Sequence, residues 1–206
     1  MTVRHYVPQP PYRSDMIPDA EPYRPIPLIT ERLVVRGMRM EDVDALFSIK
    51  SDPSVTHPYA QEPHRSRDET QAWMERVIAE MEQGLTLYWT LVLKDEGAVI
   101  GACCLWNFGP GRTCAEVGYE LHRAYWNRGI MAEALAAIID HSFGPLGLHR
   151  LEANPLGANR ASIMVLERLG FVNEGRLRQR IPFRGRFEDQ LYYGLLKEEW
   201  KGRPDH

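Results

Sequence analysis

The stretch YWNRGIMAEALAAIIDHSF, residues 125–143, combines a glycine turn with a long apolar pattern of helical period. The pattern predicts an amphipathic helix that begins directly after Gly129. A helix N-terminus leaves about four backbone N–H groups without intrahelical partners and carries roughly half a positive charge. Gly129 lets a ligand approach that backbone closely, and Arg128 adds a positive charge beside it. The stretch therefore predicts either a phosphate site or a plain turn without a ligand.

The hydrophobic pattern on both sides of this stretch predicts an α+β domain. Before the helix it indicates a strand at 31–38, helices at 40–52 and 64–84, two strands within 86–108 joined by a turn at 95–97, and a strand at 113–123. After it come a strand at 149–156, a helix at 158–171 and closing strands at 171–181 and 186–196. Hairpin-linked strands precede helix-separated ones, so we expect a mixed, mostly antiparallel sheet of about seven strands flanked by about four helices.

The chain divides into an arm, one domain and a short tail. Residues 1–28 are rich in proline and show neither strand nor helix period, so we assign them to a proline-rich N-terminal arm. Residues 29–200 are long enough for a single domain with a full core, and residues 201–206 form the tail. The composition of the arm is typical of a disordered segment. If the arm is ordered, it must lie on its own domain or on a second copy of the chain, and the second case predicts a homodimer.

Composition and charge exclude several classes of function. The net charge of −3 gives no attraction to nucleic acid or to an anionic membrane. No apolar run approaches the roughly 18 residues of a membrane span, and the N-terminus lacks the apolar core of a secretory signal, so we expect a cytoplasmic protein. The three cysteines lack metal-ligand spacing and are odd in number, which favours free thiols and no metal site.

Neither of the common glycine-rich phosphate motifs, GxGxxG and GxxxxGK[ST], occurs in the chain. Five segments nevertheless follow one another in a recognisable order: TERLVVRGM (30–38), AEVGYEL (115–121), WNRGIMAEA (126–134), NRAS (159–162) and LGF (169–171). Together they resemble the GNAT superfamily of N-acetyltransferases, and within it the RimJ/RimL-type branch that acetylates the N-terminal amine of ribosomal proteins. The resemblance extends over roughly residues 30–199. It implies a single GNAT-like domain with splayed central strands, acetyl-CoA as cosubstrate and no metal.

The resemblance also implies which residues bind the cofactor. In the family, the turn's amides hold the pyrophosphate. Here Asn127 leads into the turn, and the amides belong to Arg128, Gly129, Ile130, Met131 and Ala132. The pantetheine arm would bind the backbone of Glu120, Leu121 and His122 and the side chain of Asn159. Arg123, Arg160 and Arg168 are candidates for the remaining phosphate. The turn begins with Trp126 where many members of the superfamily have Arg or Gln, although Trp is frequent in the ribosomal-protein branch.

Three residues are predicted to be catalytic. Glu116 stands where the superfamily often has its glutamate base, and Glu120, four residues later on the same strand face, is the alternative base. Ser162 stands where the branch has a serine near the leaving sulfur, so it is the candidate acid. The alternatives are a solvent-facing, ion-paired Glu116 and a Ser162 bonded back to the previous helical turn. Leu166 replaces the tyrosine acid of many members, which leaves a catalytically silent acyl-CoA-binding module as an open interpretation.

The acceptor is predicted to be a primary amine, most simply a protein N-terminus. A free α-amine titrates near ~8 and a lysine near ~10.4, so deprotonating lysine at neutral pH costs roughly 3 kcal/mol more. The resemblance places His57, Tyr88 and Trp106 beside the acceptor pocket. Small amines, including polyamines and aminoglycoside-like compounds, remain the alternative acceptors. The arginine-rich segment 176–186 is either a solvated strand face or a landing site for an acidic peptide.

Overall fold

Eight strands form one sheet in the computed structural model, which describes residues 24–202. The strands are β1 Leu28–Ile29, β2 Leu33–Gly37, β3 Leu87–Leu93, β4 Val99–Trp106, β5 Cys114–Leu121, β6 Arg150–Ala153, β7 Val172–Phe183 and β8 Arg186–Leu196. The α-helices of this region are α1 Val43–Lys50, α2 Pro53–Thr56, α3 Arg67–Glu82, α4 Ile130–Phe143 and α5 Arg160–Arg168. The predicted α+β class and the mixed sheet are confirmed.

Strand order in the sheet is β1-β2-β3-β4-β5-β6-β8-β7, and only β5 and β6 pair in parallel. The two parallel strands are joined by α4, which is the crossover that the helix-separated pattern predicted. The structure adds one strand and one helix to the predicted set. The strand is the two-residue β1, and the helix is α2, which begins at Pro53 with Asp52 as its N-cap. Pro53 therefore both ends the preceding helical segment, as predicted, and starts a new one, because proline is well tolerated in a first turn.

The helices pack on both faces of the sheet and enclose two apolar cores. Side chains alternate between the faces along each strand, so Tyr88 lies in the core under α1 and α3 while its neighbour Trp89 lies in the core under α4. The predicted inner face of α4 is confirmed, since Leu135 and Ile139 are fully buried in that second core. The sheet thus separates two environments, and a strand such as β5 presents alternate side chains to each.

The parallel pair separates along its length. β5 and β6 pair only between Cys114–Glu116 and Arg150–Glu152. β5 continues to Leu121, whereas β6 ends at Ala153, so a gap opens beyond Glu116. This is the splay of central strands that the resemblance implied, and it leaves room for an extended ligand at the carboxyl ends of the parallel strands.

The first described residues lie against the edge of the sheet. The Trp89 indole nitrogen donates a hydrogen bond to the Ile26 carbonyl over 3.1 Å. Residues 1–23, which form most of the predicted arm, and residues 203–206 of the tail lie outside the described residues. The arm and its role in a dimer therefore stay predictions. Within residues 24–202, no helix has the length and apolarity needed to cross a membrane, and no group of three or more His, Cys, Asp or Glu residues is arranged to hold a metal ion.

Candidate active site

A cleft of about 1840 Å³ follows the gap between β5 and β6 and opens toward α1 and α3 on the other face of the sheet. It brings together nearly all the predicted site residues: His57, Tyr88, Trp106, Glu116, Glu120, Leu121, residues 127–132, Asn159 and Ser162. His122 does not line it. Residues far apart in the sequence therefore meet in one cavity, and the geometry of each part shows what it can do.

The turn before α4 has the conformation of an anion-binding site. Asn127 and Gly129 have left-handed φ angles of 59° and 70°, and Gly129 is the N-cap of the helix. A Cβ atom built on Gly129 would have only the Arg32 Nη2 atom within 4 Å, at 3.7 Å, so the space beside the turn is open. The first N–H groups of α4 point out of the helix N-terminus and have no intrahelical partner. Together the open space and these donors fit a phosphate group.

The backbone of β5 presents alternate residues to the gap. The His122 N–H donates to the Ile100 carbonyl over 2.8 Å, and Glu120 lies opposite Ala102 in the same register, so both peptide groups face β4. In an antiparallel pair the intervening residues face the opposite way. Of the three predicted backbone partners only Leu121 therefore faces the gap, and Tyr119, which the sequence reasoning missed, faces it as well. The Leu121 carbonyl accepts a 2.7 Å hydrogen bond from the Trp126 indole nitrogen.

Glu116 lies where the gap opens, at the last paired position of β5. Its side chain is partly buried in the cleft. Burial raises the pKa of the Glu116 carboxyl above its ordinary value, although hydrogen bonds from the Asn154 and Asn107 amides act in the opposite direction. Among the described residues no cation contributes to this pKa, so the ion-paired alternative finds no support. A carboxylate with a raised pKa is a stronger base than an ordinary one, and this is the property that a proton acceptor needs.

Glu120 lies on the same face of β5 in the opposite electrostatic environment. Its side chain is buried against the Lys50 ammonium at 3.0 Å and accepts hydrogen bonds from Tyr59 over 2.8 Å and Tyr88 over 3.1 Å. Burial alone would raise the pKa of Glu120, but Lys50 and the two phenols outweigh it and hold the pKa below its usual range. The Lys50 ammonium also lies 4.0 Å from the Trp73 ring centre. Since its charge is already compensated, Glu120 is a weaker base than Glu116.

The three predicted acceptor residues all line the cleft. Tyr88 is buried with its hydroxyl on Glu120, and Trp106 lies against Gly118, where an added Cβ would come within 2.6 Å of the indole ring. His57 lies at the mouth, 5.6 Å from the Phe183 ring centre and 3.1 Å from an Arg184 guanidinium nitrogen. The tip of the β7–β8 hairpin therefore lies beside His57.

Within the arginine-rich segment 176–186, two arginines have acidic partners on the surface. Arg176 pairs with Asp189, and Arg184 lies 3.5 Å from Glu62. These pairings favour a solvated face over an open landing site for an acidic peptide.

The start of α5 places polar groups on the other side of the gap. Asn159 caps the helix by accepting from the Ser162 N–H over 3.1 Å, and its amide nitrogen donates to the Pro58 carbonyl over 3.1 Å. The Ser162 hydroxyl lies 2.7 Å from the Tyr119 hydroxyl, so it is joined to β5 instead of to the previous helical turn. Leu166 is fully buried in the core. The polar partner of Ser162 thus comes from the strand, a contact that spacing along the helix could not predict.

A splayed parallel pair with an open helix N-terminus beside it, in an α+β domain, is suited to an extended, phosphate-bearing cofactor. The family model of the acetyltransferase (GNAT) domain matches residues 32–172. The chain therefore belongs to the GNAT acetyltransferase family, and acetyl-CoA is its cosubstrate. The resemblance stated from the sequence is confirmed.

Individual relatives agree with this assignment. The uncharacterized N-acetyltransferase p20 of Bacillus licheniformis is 34% identical over 175 residues, which cover 85% of this chain and 98% of the relative. The ribosomal protein uS5-alanine N-acetyltransferase of Escherichia coli (strain K12) is 29% identical over 178 residues, which cover 84% and 92%. Among solved structures, Mycobacterium smegmatis RimJ in complex with CoA-disulfide has a TM-score of 0.76 at 27% identity, covering 87% of this chain and 91% of that one.

Proposed function

We propose that this acetyltransferase acts on a protein N-terminal amine, by direct attack within a ternary complex. The observation that carries the proposal is the position of Glu116, a partly buried carboxylate with a raised pKa, in the same cleft as the Gly129 turn. The E. coli relative is named for acetylating the alanine of a ribosomal protein, which supports the same class of acceptor.

The described residues fit the cofactor at three places. The amides of residues 128–132 would hold its pyrophosphate, with Asn127 leading into the turn. The gap-facing backbone of Tyr119 and Leu121 and the side chain of Asn159 would hold the pantetheine arm. Arg160 and Arg168 line the cleft and remain candidates for the other phosphate, whereas Arg123 does not line it. When bound, acetyl-CoA supplies the activated acetyl group.

Glu116 accepts the proton that the amine loses, directly or through one water molecule. An α-amine near pKa ~8 gives up its proton more readily than a lysine near ~10.4, so a single carboxylate base suits an N-terminus. Glu120 does not compete for this proton because Lys50, Tyr59 and Tyr88 hold it as a compensated carboxylate. We assign Glu120 to the shape and charge of the acceptor pocket, together with Tyr88, Trp106 and His57.

Backbone and hydroxyl donors on β5 and α5 stabilise the charges that develop during transfer. A backbone N–H of Tyr119 or Leu121 faces the gap and is the donor for the carbonyl oxygen, and such preorganised donors usually supply the largest catalytic effect. Ser162, oriented by Tyr119, donates toward the leaving sulfur. A thiol of pKa near ~8.5 leaves without a strong acid. The replacement of the helix tyrosine by Leu166 is therefore compatible with turnover.

A polyamine is the alternative acceptor. It carries several positive charges, and Glu80 and Glu188 line the cleft together with Glu116, whereas Lys50 compensates Glu120. The acceptor assays below separate the two classes of amine. We further propose that the enzyme works in the cytoplasm. We also propose that it forms a homodimer through the arm at residues 1–28, and a monomeric mass in solution would contradict this dimer.

Calorimetric titration with acetyl-CoA tests the site first. The Gly129→Glu variant places a carboxylate in the open space beside the turn and should lose binding. Gly97→Glu is the matched control, because Gly97 also has a left-handed φ, of 65°, with nothing within 4 Å of an added Cβ, and does not line the cleft. Equal affinity of the two variants would contradict the assignment of the turn.

Acceptor assays then separate the candidate functions. Peptides with a free N-terminus should be acetylated, whereas the same peptides with a blocked N-terminus and an internal lysine, and spermidine, should not. Faster turnover of spermidine would favour a small-amine acetyltransferase. Binding of acetyl-CoA without turnover of any of these amines would favour the silent acyl-CoA-binding module.

A further inference from the structure

The turn that binds anions is connected to a distant segment of the chain, the corner between β1 and β2. The Arg32 guanidinium donates through Nη1 to the Arg128 carbonyl over 2.8 Å and through Nε to the Glu133 carboxylate over 2.6 Å. Arg128 is part of the turn and Glu133 is in the first turn of α4. One side chain therefore joins the two ends of the anion site, across 96 and 101 residues of sequence.

Glu133 is held firmly at the other end of this bridge. It is 3% exposed, and besides the guanidinium it accepts hydrogen bonds from the Arg32 N–H over 2.8 Å and from the Thr30 hydroxyl over 2.6 Å. Burial would raise the pKa of Glu133, but these donors outweigh it and hold the pKa below its usual value. The carboxylate is thus a fixed anchor, and Arg32 compensates a negative charge that would otherwise repel a phosphate at the same helix N-terminus.

The turn needs such an anchor because its backbone is not the conformation of lowest energy. Asn127 has a left-handed φ of 59°, a region that residues with a side chain seldom occupy, although asparagine does so more readily than most. If the turn relaxes to other conformations, its N–H groups no longer point at one anion. The apparent affinity is then the intrinsic affinity multiplied by the fraction of molecules whose turn has the binding conformation. The hydrogen bond from Arg32 to the Arg128 carbonyl opposes this relaxation.

We propose that Arg32 is a positioning residue for the phosphate-binding turn: it fixes the Arg128 carbonyl to the buried Glu133 carboxylate and so keeps the turn ready for the cofactor's pyrophosphate. The inference rests on the proposed function of that turn. The guanidinium is suited to the task because its planar fork serves two acceptors at once. A lysine at this position can pair with Glu133 but has no fork with which to serve both acceptors in this way.

The test compares two acetyl donors. Acetyl-CoA carries the pyrophosphate, whereas S-acetyl-pantetheine carries the thioester and the pantetheine arm but neither pyrophosphate nor nucleotide. The Arg32→Lys variant should lower kcat/KM for acetyl-CoA about tenfold, the change that a hydrogen bond of about 1.4 kcal/mol supports, through KM and not kcat. It should leave kcat/KM for S-acetyl-pantetheine within about twofold, since this donor does not use the turn.

Thr30→Val is the matched control. It removes a hydrogen bond to the same carboxylate and leaves the contact with Arg128 intact, so both donors should be affected equally. If Arg32→Lys does not fold, Arg32→Met with Glu133→Gln removes the ion pair as a unit, and the same difference between donors is expected. Equal loss with both donors, or no loss with acetyl-CoA, would overturn the proposal. Failure of the wild-type protein to bind acetyl-CoA would instead refute the assignment of the turn itself.

Discussion

Removing the Lys50 ammonium should destabilise the protein strongly, because it would leave the Glu120 carboxylate buried with only two phenol partners. The pair is 3.0 Å apart, and the side chains are 8% and 7% exposed. At that separation and an effective dielectric constant near 20, two unit charges attract by about 5 kcal/mol. Breaking a buried pair by removing one partner typically costs about 3–5 kcal/mol. The Lys50→Met variant, which retains the apolar stem, should therefore unfold at a temperature about 6–20 °C lower.

The double variant Lys50→Met, Glu120→Gln is the informative comparison. It removes both charges together, and replacing a buried pair as a unit is often nearly neutral, so most of the stability should return. The single variant should also regain stability as pH falls. Without Lys50, burial raises the pKa of Glu120 in the folded state, so its protonated form is compatible with folding and the deficit grows as pH rises through that pKa.

Urea unfolding at pH 5 and pH 8 measures all three proteins. The reasoning is refuted if Lys50→Met lies within about 1 kcal/mol of the wild type, or if the double variant is as unstable as the single one. The pH dependence of acetylation by the double variant tests separately which carboxylate is the base. The pH profile of this variant should keep the acidic limb that reports the pKa of Glu116, in addition to the titration of the acceptor amine near ~8, because Glu116 remains as the proton acceptor. Loss of the Glu116 limb, with only the titration of the amine left, would make Glu120 the base.

Two further predictions concern titrating groups. The Glu116→Gln variant should lose about 10²- to 10⁴-fold in kcat/KM, because the proton acceptor is removed. The limb of the pH profile that reports the raised pKa of Glu116 should disappear, and only the titration of the acceptor amine near ~8 should remain. Glu75→Gln, at an exposed position of α3 outside the cleft, is the control. His141 is buried without a hydrogen-bond partner among the described residues, and burial lowers its pKa. Burial also lowers the pKa of His64, so the wild type should lose unfolding free energy below about pH 6.5 through both histidines. In urea unfolding, His141→Leu should lose it less steeply than the wild type, by up to about 1.4 kcal/mol per pH unit.

Local patterns sufficed to predict four of the five α-helices of residues 24–202, most strands and the glycine turn. The period of α4 and the glycine before it are properties of neighbouring residues, so α4 and its N-terminus were found where the sequence placed them. The mixed character of the sheet also followed from strands separated by helices. Which strands pair in parallel did not follow, because β2 and β3 are also separated by helices and pair antiparallel, whereas β5 and β6 pair in parallel. The two-residue β1 carries too little pattern to be predicted. His141 is a different case: it lies three residues after Ile138 on the apolar face of α4, a signal of burial that its polar character obscured.

Contacts between distant segments could not be read from the sequence. Lys50 and Glu120 are 70 residues apart, and no pattern along either element indicates that they meet. The same holds for Tyr119 and Ser162, which are 43 residues apart and lie on a strand and a helix. Sequence spacing correctly placed Glu116 and Glu120 on one face of β5, but it treated them as two versions of the same residue. The pKa values of the two carboxyls differ because of groups on other elements of the fold: Lys50 of α1 lies beside Glu120, whereas the amides of Asn107 and Asn154 lie beside Glu116.

The division of roles between these two carboxylates follows from where each lies on β5. Glu116 is the last residue paired with β6, so it borders the gap, and its charge is met by amides instead of a cation. Glu120 lies four residues farther along β5, beside the C-terminal end of α1, where Lys50 is the last residue of the helix. A cation at that end is also favoured by the helix dipole. The splay of the sheet thus leaves one carboxylate available for proton transfer, and the packing of α1 commits the other to the structure of the pocket.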